Sequence, residues 1–346
     1  MAKRNVFEER IEAATEELAD ERLRRGHPEL RIVKHNDEHV PFYSEITIEK
    51  FCTFLPNNFR KKSITIERVY KDQQGDLYKQ SVSVGLLPNE SKEYGVLKVK
   101  HLDILYSILK IWADQGWRAA EIDGEYFGVV STTRYELLKN TLKPKATWSK
   151  QRYDKVIPTL HDLKAVPFLL TAELINEHDP SGTENQKPEK SEEQVLYILS
   201  DFRYEKAGRS KEEEGGNIRI LISPYVTKKF YRQDVKVIRM DVYRALNSDI
   251  SKILYPLLDR NLPHTTKFKK KLRDLCIENG FAHYDKESLV KAKWKDALAE
   301  LNGIELSCGK SLGVDIRQGK QGKGKGWFFF AWIIDTHGDE FPEKIF

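Results

Sequence analysis

Three lysines, Lys320, Lys323 and Lys325, alternate with glycines in the stretch Gly319-Lys320-Gln321-Gly322-Lys323-Gly324-Lys325-Gly326, and no acidic residue lies between Arg317 and Trp327. Glycine lets a backbone come close to a phosphate, and lysine neutralises the phosphate and releases its counterions. Gly319, Gly324 and Lys325 also have the spacing of a GxxxxGK[ST] phosphate loop. Gly326, however, stands where Ser or Thr would ligate magnesium, and β-like WFFFAWII follows where a helix is required. The pattern argues against an NTPase and for direct contact with a polyanion. Just upstream, KESLVKAKWKDALAELNG reads as a helix with Asp285 as N-cap and Gly303 as its left-handed terminator. Val290, Trp294, Ala297, Leu298 and Leu301 make one apolar stripe. Ser288, Lys291, Ala292 and Lys295 fall on the other face, where small residues permit close approach and lysines reach phosphates or guanine edges. A solvated surface helix would carry the same lysines. The adjoining loop is what tips the reading toward DNA.

Other chemistries find less support. A rolling-circle nuclease needs a His-x-His metal pair near a tyrosine, and the nine histidines contain no such pair. His35 and His39 have i, i+4 spacing but lie in a polar stretch, and His161-Asp162 has no nucleophile nearby in sequence. The aromatics of WFFFAW would suit single-strand stacking, although alternating core packing explains them better. No catalytic residue, metal site or cofactor is expected, and the chain is read as a non-enzyme.

The elements that must position these groups follow from the rest of the chain. A length of 346 residues suits two domains plus extensions. Cys52, Cys276 and Cys308 are far apart, which predicts a reducing cytoplasmic setting with neither a disulfide framework nor a zinc site. No apolar run is long enough to span a bilayer, and MAKRNVFEERIEAA lacks an apolar signal region. The whole chain carries a net charge of +5, but residues 260–330 alone hold 15 Lys/Arg against 8 Asp/Glu. Basicity that local favours a nucleic-acid partner.

In chain order, Glu8 to Arg25 reads as a charged helix on a loosely attached arm. SITIERVY and LYKQSVSVGLL read as a hairpin. His101 to Gln115 reads as a helix with Leu102, Leu105, Ile108, Leu109 and Trp112 inward, ended by Gly116. A short helix from Arg134 to Leu142, capped by Thr132 or Thr133, precedes a longer one from Thr147 to Leu163. Tyr153, Val156, Ile157, Leu160 and Leu163 face inward on the latter, with Pro158 awkward in its middle. Lys145, Thr147, Lys150, Gln151 and Lys155 form its basic outer entry and are the candidate DNA contacts of a first domain. VPFLLTAELI would be the strand that completes that domain's winged pattern. Residues 176–193 read as a long loop within a hairpin, VLYILSDFRYE and NIRILISPY as strands, and 224–238 as a bridge. A second domain then opens with Met240 to Leu246. Ser248 caps a helix carrying Ile250, Ile253, Leu254, Leu257 and Leu258 inward, shortened or kinked by Pro256. Phe268 to Asn279 is read as the next helix, closed by Gly280. The expected fold is α+β, with two tandem winged helix-turn-helix domains behind an N-terminal helical arm. The divisions are 1–43, 44–232 and 233–346.

Two runs resemble a known family. Tyr94-Gly95-Val96-Leu97-Lys98-Val99-Lys100-His101-Leu102-Asp103-Ile104-Leu105 resembles the start of the first winged helix in plasmid replication initiators of the replication initiator protein A type. Met240-Asp241-Val242-Tyr243-Arg244-Ala245-Leu246-Asn247-Ser248-Asp249-Ile250, continued by Ser251-Lys252-Ile253-Leu254-Tyr255-Pro256-Leu257-Leu258, resembles the opening of their second. The likeness covers about residues 80–335 and rests on diffuse apolar patterns; the insertions at 177–193 and 205–216 depart from it. It implies binding to repeated duplex sites in a plasmid origin and melting of nearby AT-rich DNA. It further implies recruitment of the host replicative helicase and bacterial initiator, dimerisation through the first domain, and repression of the protein's own gene. A winged-helix transcriptional regulator without a replication role shares every DNA-contact feature and is the alternative.

Overall fold

A computed structural model describes residues 42–45, 54–71, 77–87, 94–141, 149–175, 191–204, 217–231, 235–282, 286–319 and 326–334. The expected arm helix at 8–25, the loop at 176–190, the loop tip at 320–325 and residues 142–148 lie outside them. The fold mixes α and β. Among the described residues no helix is long and apolar enough to cross a membrane.

β1 (Phe42–Glu45) comes first, then β2 (Ile64–Lys71) and β3 (Leu77–Val84), which pair antiparallel as the expected hairpin. Helix α1 (Val99–Asp114) buries the anticipated stripe, and Ile104, Tyr106 and Ile111 besides, so it is enclosed on most sides. Gly116, at φ +77°, ends it. Next come β4 (Ala119–Ile122) and β5 (Glu125–Thr133), joined at Asp123-Gly124. Both turn residues have positive φ, 52° and 80°, as a two-residue type I′ hairpin demands. β5 runs straight into α2 (Arg134–Thr141), whose Glu136 amide donates to Thr133 Oγ1.

The single helix expected over 147–163 is two. α3 (Lys150–Asp154) is capped by Ser149 and stops at Lys155, and α4 (Val156–Ala165) restarts there. The cause is Pro158, which has no N–H for the carbonyl of Asp154 and crowds it. β6 (Phe168–Ile175) then departs from expectation. It pairs with β3 and with β7 (Ser191–Leu196), giving a separate sheet of order β2-β3-β6-β7. Residues 191–193 are therefore strand and not loop. The hairpin that returns to the helices is β8 (Leu199–Tyr204) with β9 (Asn217–Ile222), and β9 pairs with β5 in a sheet of order β4-β5-β9-β8. The run 224–238 is no plain bridge but α5 (Pro224–Tyr231) followed by β10 (Val235–Ile238), and β10 pairs antiparallel with β1. The division expected at 43/44 thus falls inside β1, whose partner lies just past the one expected at 232/233.

α6 (Met240–Ala245) opens the second unit. α7 (Asp249–Thr265) is capped by the Ser248 hydroxyl, as expected. It neither shortens nor breaks at Pro256; it runs 17 residues through Pro256 and Pro263. Burial of Leu254, Tyr255, Leu257 and Leu258 around the first proline holds the turns that lack a hydrogen bond. The helix expected from Phe268 is corrected as well. β11 (Lys267–Lys271) is a strand paired with the last strand of the unit, and only α8 (Leu272–Glu278) is helical. Pairing overrides local preference here: Phe268 turns inward to meet Phe329, while Lys267, Lys269 and Lys271 alternate to the exposed face. α9 (Glu287–Leu301), β12 (Ser311–Gly319) and β13 (Gly326–Ile334) complete a sheet of order β11-β13-β12. In both units the hairpin's second strand pairs with a strand that lies between helices: β9 with β5, between α1 and α2, and β13 with β11, between α7 and α8.

Candidate nucleic-acid interface

α9 is held by its inner face. Val290, Trp294, Ala297 and Leu301 are buried, and the Trp294 ring lies 5.7 Å from Phe281 and 5.7 Å from Phe329, centroid to centroid. The helix follows Lys286 with no side-chain cap, and the expected cap Asp285 is outside the described residues. Its far end is joined to the hairpin. Gly303, at φ +83°, donates its N–H to Leu312 O at 2.6 Å, Leu312 N–H donates to Ile304 O at 2.8 Å, and Val314 N–H donates to Asn302 Oδ1 at 3.2 Å. Helix and hairpin are therefore one rigid piece, and the inward stripe fixes what faces out. Ser288, Lys291, Ala292 and Lys295 are all exposed, with Leu289, Asp296 and Ala299 beside them. The hairpin narrows to Gly319 paired with Gly326, and Lys320, Lys323 and Lys325 lie beyond the described residues.

The other face of that sheet was not foreseen. Phe328, Phe330 and Trp332 form a second apolar cluster away from the main core. Lys269 Nζ sits 5.1 Å from the Phe328 ring centre and 5.4 Å from that of Phe330, and Arg317 bonds Asp315 at 2.6 Å. Phe330 is only 2% exposed, so its ring is covered and offers no open stacking surface.

In the first unit, Lys150, Gln151 and Lys155 are exposed along α3 and at its junction with α4, and Lys145 and Thr147 fall outside the described residues. A clamp that sequence reasoning missed aims this corner. The Arg134 guanidinium lies between two rings, 4.3 Å from the centre of Tyr153 on α3 and 4.6 Å from that of Tyr204 on β8, and it also donates to the Tyr204 hydroxyl. Lys164 bonds Asp201 at 2.6 Å and His161 packs edge-on against Phe202, so α4 is tied to the same strand. Deeper in, His101 is buried. Its Nδ1 accepts the Lys98 N–H at 2.7 Å, which leaves Nε2 to donate to Asp162 at 2.9 Å. Burial holds the His101 pKa below its usual value against the pull of Asp162, and the bond from His101 lowers that of Asp162.

The two units meet at Asp103 of α1. Its carboxylate accepts from the Tyr243 hydroxyl at 2.9 Å and from Lys252 Nζ at 2.7 and 2.9 Å. Burial drives its pKa upward, opposed by Lys252. Tyr106 packs edge-on against Tyr243 at 4.8 Å, and Asn57 donates its backbone N–H and its side-chain amide to Asp249 at 2.7 and 2.9 Å. No sequence pattern marks these pairs, because their members lie in different units.

Among the described residues no group of three or more His, Cys, Asp or Glu is placed to hold a metal ion. Cys276 is buried and its thiol is pushed up to about 12, while Cys308 is exposed. What the interface offers is rigid helices carrying cations and small side chains outward, each tied to a hairpin.

No protein-family model matches the sequence, and no curated protein matches it. Among solved structures, domains 2 and 3 of RctB are similar, with a TM-score of 0.48 and 12% identity over 84% of this chain and 95% of that one. A second structure of those domains, RctB residues 155–483, gives a TM-score of 0.42 and 14% identity over 83% and 95%.

Proposed function

We propose that this protein is a non-catalytic, sequence-specific binder of duplex DNA, built from two tandem winged helix-turn-helix units, and that it initiates plasmid replication. The observation that carries the DNA reading is the outer face of α9. Ser288, Lys291, Ala292 and Lys295 project from a helix immobilised by Trp294, and the hairpin that follows it pairs back on a strand between helices, as β9 does on β5 in the first unit. In this reading α9 enters the major groove and the Lys/Gly tip lies along flanking phosphates. Lys150, Gln151 and Lys155 do the corresponding work in the first unit. The replication role rests on the resemblance of the runs 94–105 and 240–258 to plasmid initiators. Origin melting, recruitment of the replicative helicase and host initiator, homodimer formation and autoregulation come with it, while a cytoplasmic location rests on the three scattered cysteines. The non-enzyme reading is supported by Gly326 in the magnesium-ligating position and by the lack of a His-x-His pair.

The test is a comparison of specific with non-specific affinity at one salt concentration. Replacing Lys320, Lys323 and Lys325 by Ala weakens both about equally and makes the log–log salt slope shallower by up to about one unit per lost phosphate contact. Replacing Lys291 or Lys295, where it meets a base edge, costs about 1–3 kcal/mol on the cognate duplex and much less on random DNA. If the loop variants lose specificity and the helix variants keep it, the hairpin is the reader. A replicon dependent on the gene and its flanking DNA separates the initiator from a transcriptional regulator.

A further inference from the structure

The outer face of α9 is not uniformly cationic. At about 100° per residue, Ala292 and Ala299 lie at its centre, opposite the buried stripe. Lys291 and Lys295 flank them on one side, and Leu289 and Asp296 on the other. Leu289 is 47% exposed, in the first turn, and takes no part in the core packing of its neighbour Val290. A solitary exposed leucine is ordinary on a protein surface. This one lies within a turn of Ser288, Lys291 and Ala292, at the helix end that meets base edges in such units. A leucine gains nothing from a phosphate, and the apolar feature of the major groove is the C5 methyl of thymine. Ala292, one turn on and short, extends the same apolar strip without holding the helix away from the bases.

We propose that Leu289, assisted by Ala292, determines sequence specificity by packing against thymine methyl groups in the major groove. The proposal rests on the reading of α9 as the groove helix and adds what that helix selects. Lys291 and Lys295 supply phosphate attraction and polar base-edge contacts; Leu289 adds a preference for thymine methyl groups that only particular steps satisfy.

The test uses the full chain and a random-sequence duplex pool, from which the tightest-binding duplex is selected. That duplex is then remade with deoxyuridine in place of each thymidine in turn, which deletes one methyl and leaves the hydrogen-bonding edge intact. Wild-type protein should lose about fourfold in affinity at one or two positions, the worth of one buried methyl. Leu289→Ala should bind the thymidine and deoxyuridine forms alike, while its salt slope stays that of wild type. Leu289 is exposed, so the variant folds, and Leu289→Met, which keeps an apolar tip, should retain sensitivity to the methyl. The proposal is overturned if no deoxyuridine substitution weakens wild-type binding. It is also overturned if Leu289→Ala keeps the wild-type sensitivity, or if its affinity for the selected duplex is unchanged because the side chain faces a protein partner. A pool that yields no preferred duplex instead removes the groove reading itself.

Discussion

His101 is a titratable ring shut inside the first unit, and its surroundings give it a sign. The folded pKa lies below the ordinary 6.5, so between those two values the unfolded chain binds the extra proton. Its contribution to stability is therefore present above pH 6.5 and is lost as pH falls toward the folded value. Asp162→Asn keeps an acceptor for Nε2 but removes the charge that holds the pKa up, so the variant should lose stability more steeply than wild type on acidification. Urea midpoints taken from pH 8 to pH 5, on the flank of the ordinary histidine value, would show it. Equal slopes would mean that Asp162 does not hold up the His101 pKa. Trp294 is a residue of another kind, 2% exposed and wedged between Phe281 and Phe329. Trp294→Ala should cost about 3–5 kcal/mol by denaturation and weaken DNA binding along with it. A variant that is destabilised yet binds with full specificity would count against the groove role proposed for α9.

Elements were legible where their signals are local. The stripes of α1, α7 and α9, the Ser248 cap and the glycines at 116 and 303 stand as the sequence predicts, because a 3.6-residue period and a left-handed terminator need no distant partner. The outward set on α9 was readable for the same reason. Strand partners were not readable. KFKKK is a strand only because β13 lies beside it, and VPFLLTAELI joins another sheet only because β3 and β7 are there to receive it. The Asp123-Gly124 turn did carry a local signal, and it went unread. The Arg134 clamp carried none, since its two tyrosines belong to α3 and β8. Packing between elements is tight enough to test by one methyl. A Cβ added at Gly128 of β5 would meet Trp112 Cζ2 at 2.7 Å, and that indole is held by Trp117, Phe230 and a bond from Nε1 to Arg118 O at 2.6 Å. Gly128→Ala should therefore destabilise the first unit by about 1–3 kcal/mol in chemical denaturation. No loss would mean that the ring can shift aside.

At the scale of the whole molecule, Asp103 joins the units through a pair that is mostly buried, its carboxylate 21% and the Lys252 side chain 12% exposed. Lys252→Ala strands a buried carboxylate and should cost about 3–5 kcal/mol. The pKa of Asp103 is already raised and rises further without the lysine. The folded variant then takes up a proton before the unfolded chain does, so stability falls as pH rises and the penalty is smaller at low pH. Thermal melts of variant and wild type from the ordinary carboxylate range upward to neutrality check this, and a penalty that grows on acidification contradicts it. The β1–β10 pair bears on a different matter, the order of events on the ribosome. β1 is made nearly two hundred residues before its partner. At about 5–20 residues per second it waits some ten to forty seconds for β10 to emerge. β10 is also the stretch between α5 and α6, so β1, the first of the described strands, pairs with the segment that joins the two units. Each nascent chain thus passes through an interval in which the first unit has been synthesised and β1 still lacks the strand it pairs with among the described residues. A second nascent chain on the same message, carrying its own unpaired β1, is its nearest neighbour during that interval.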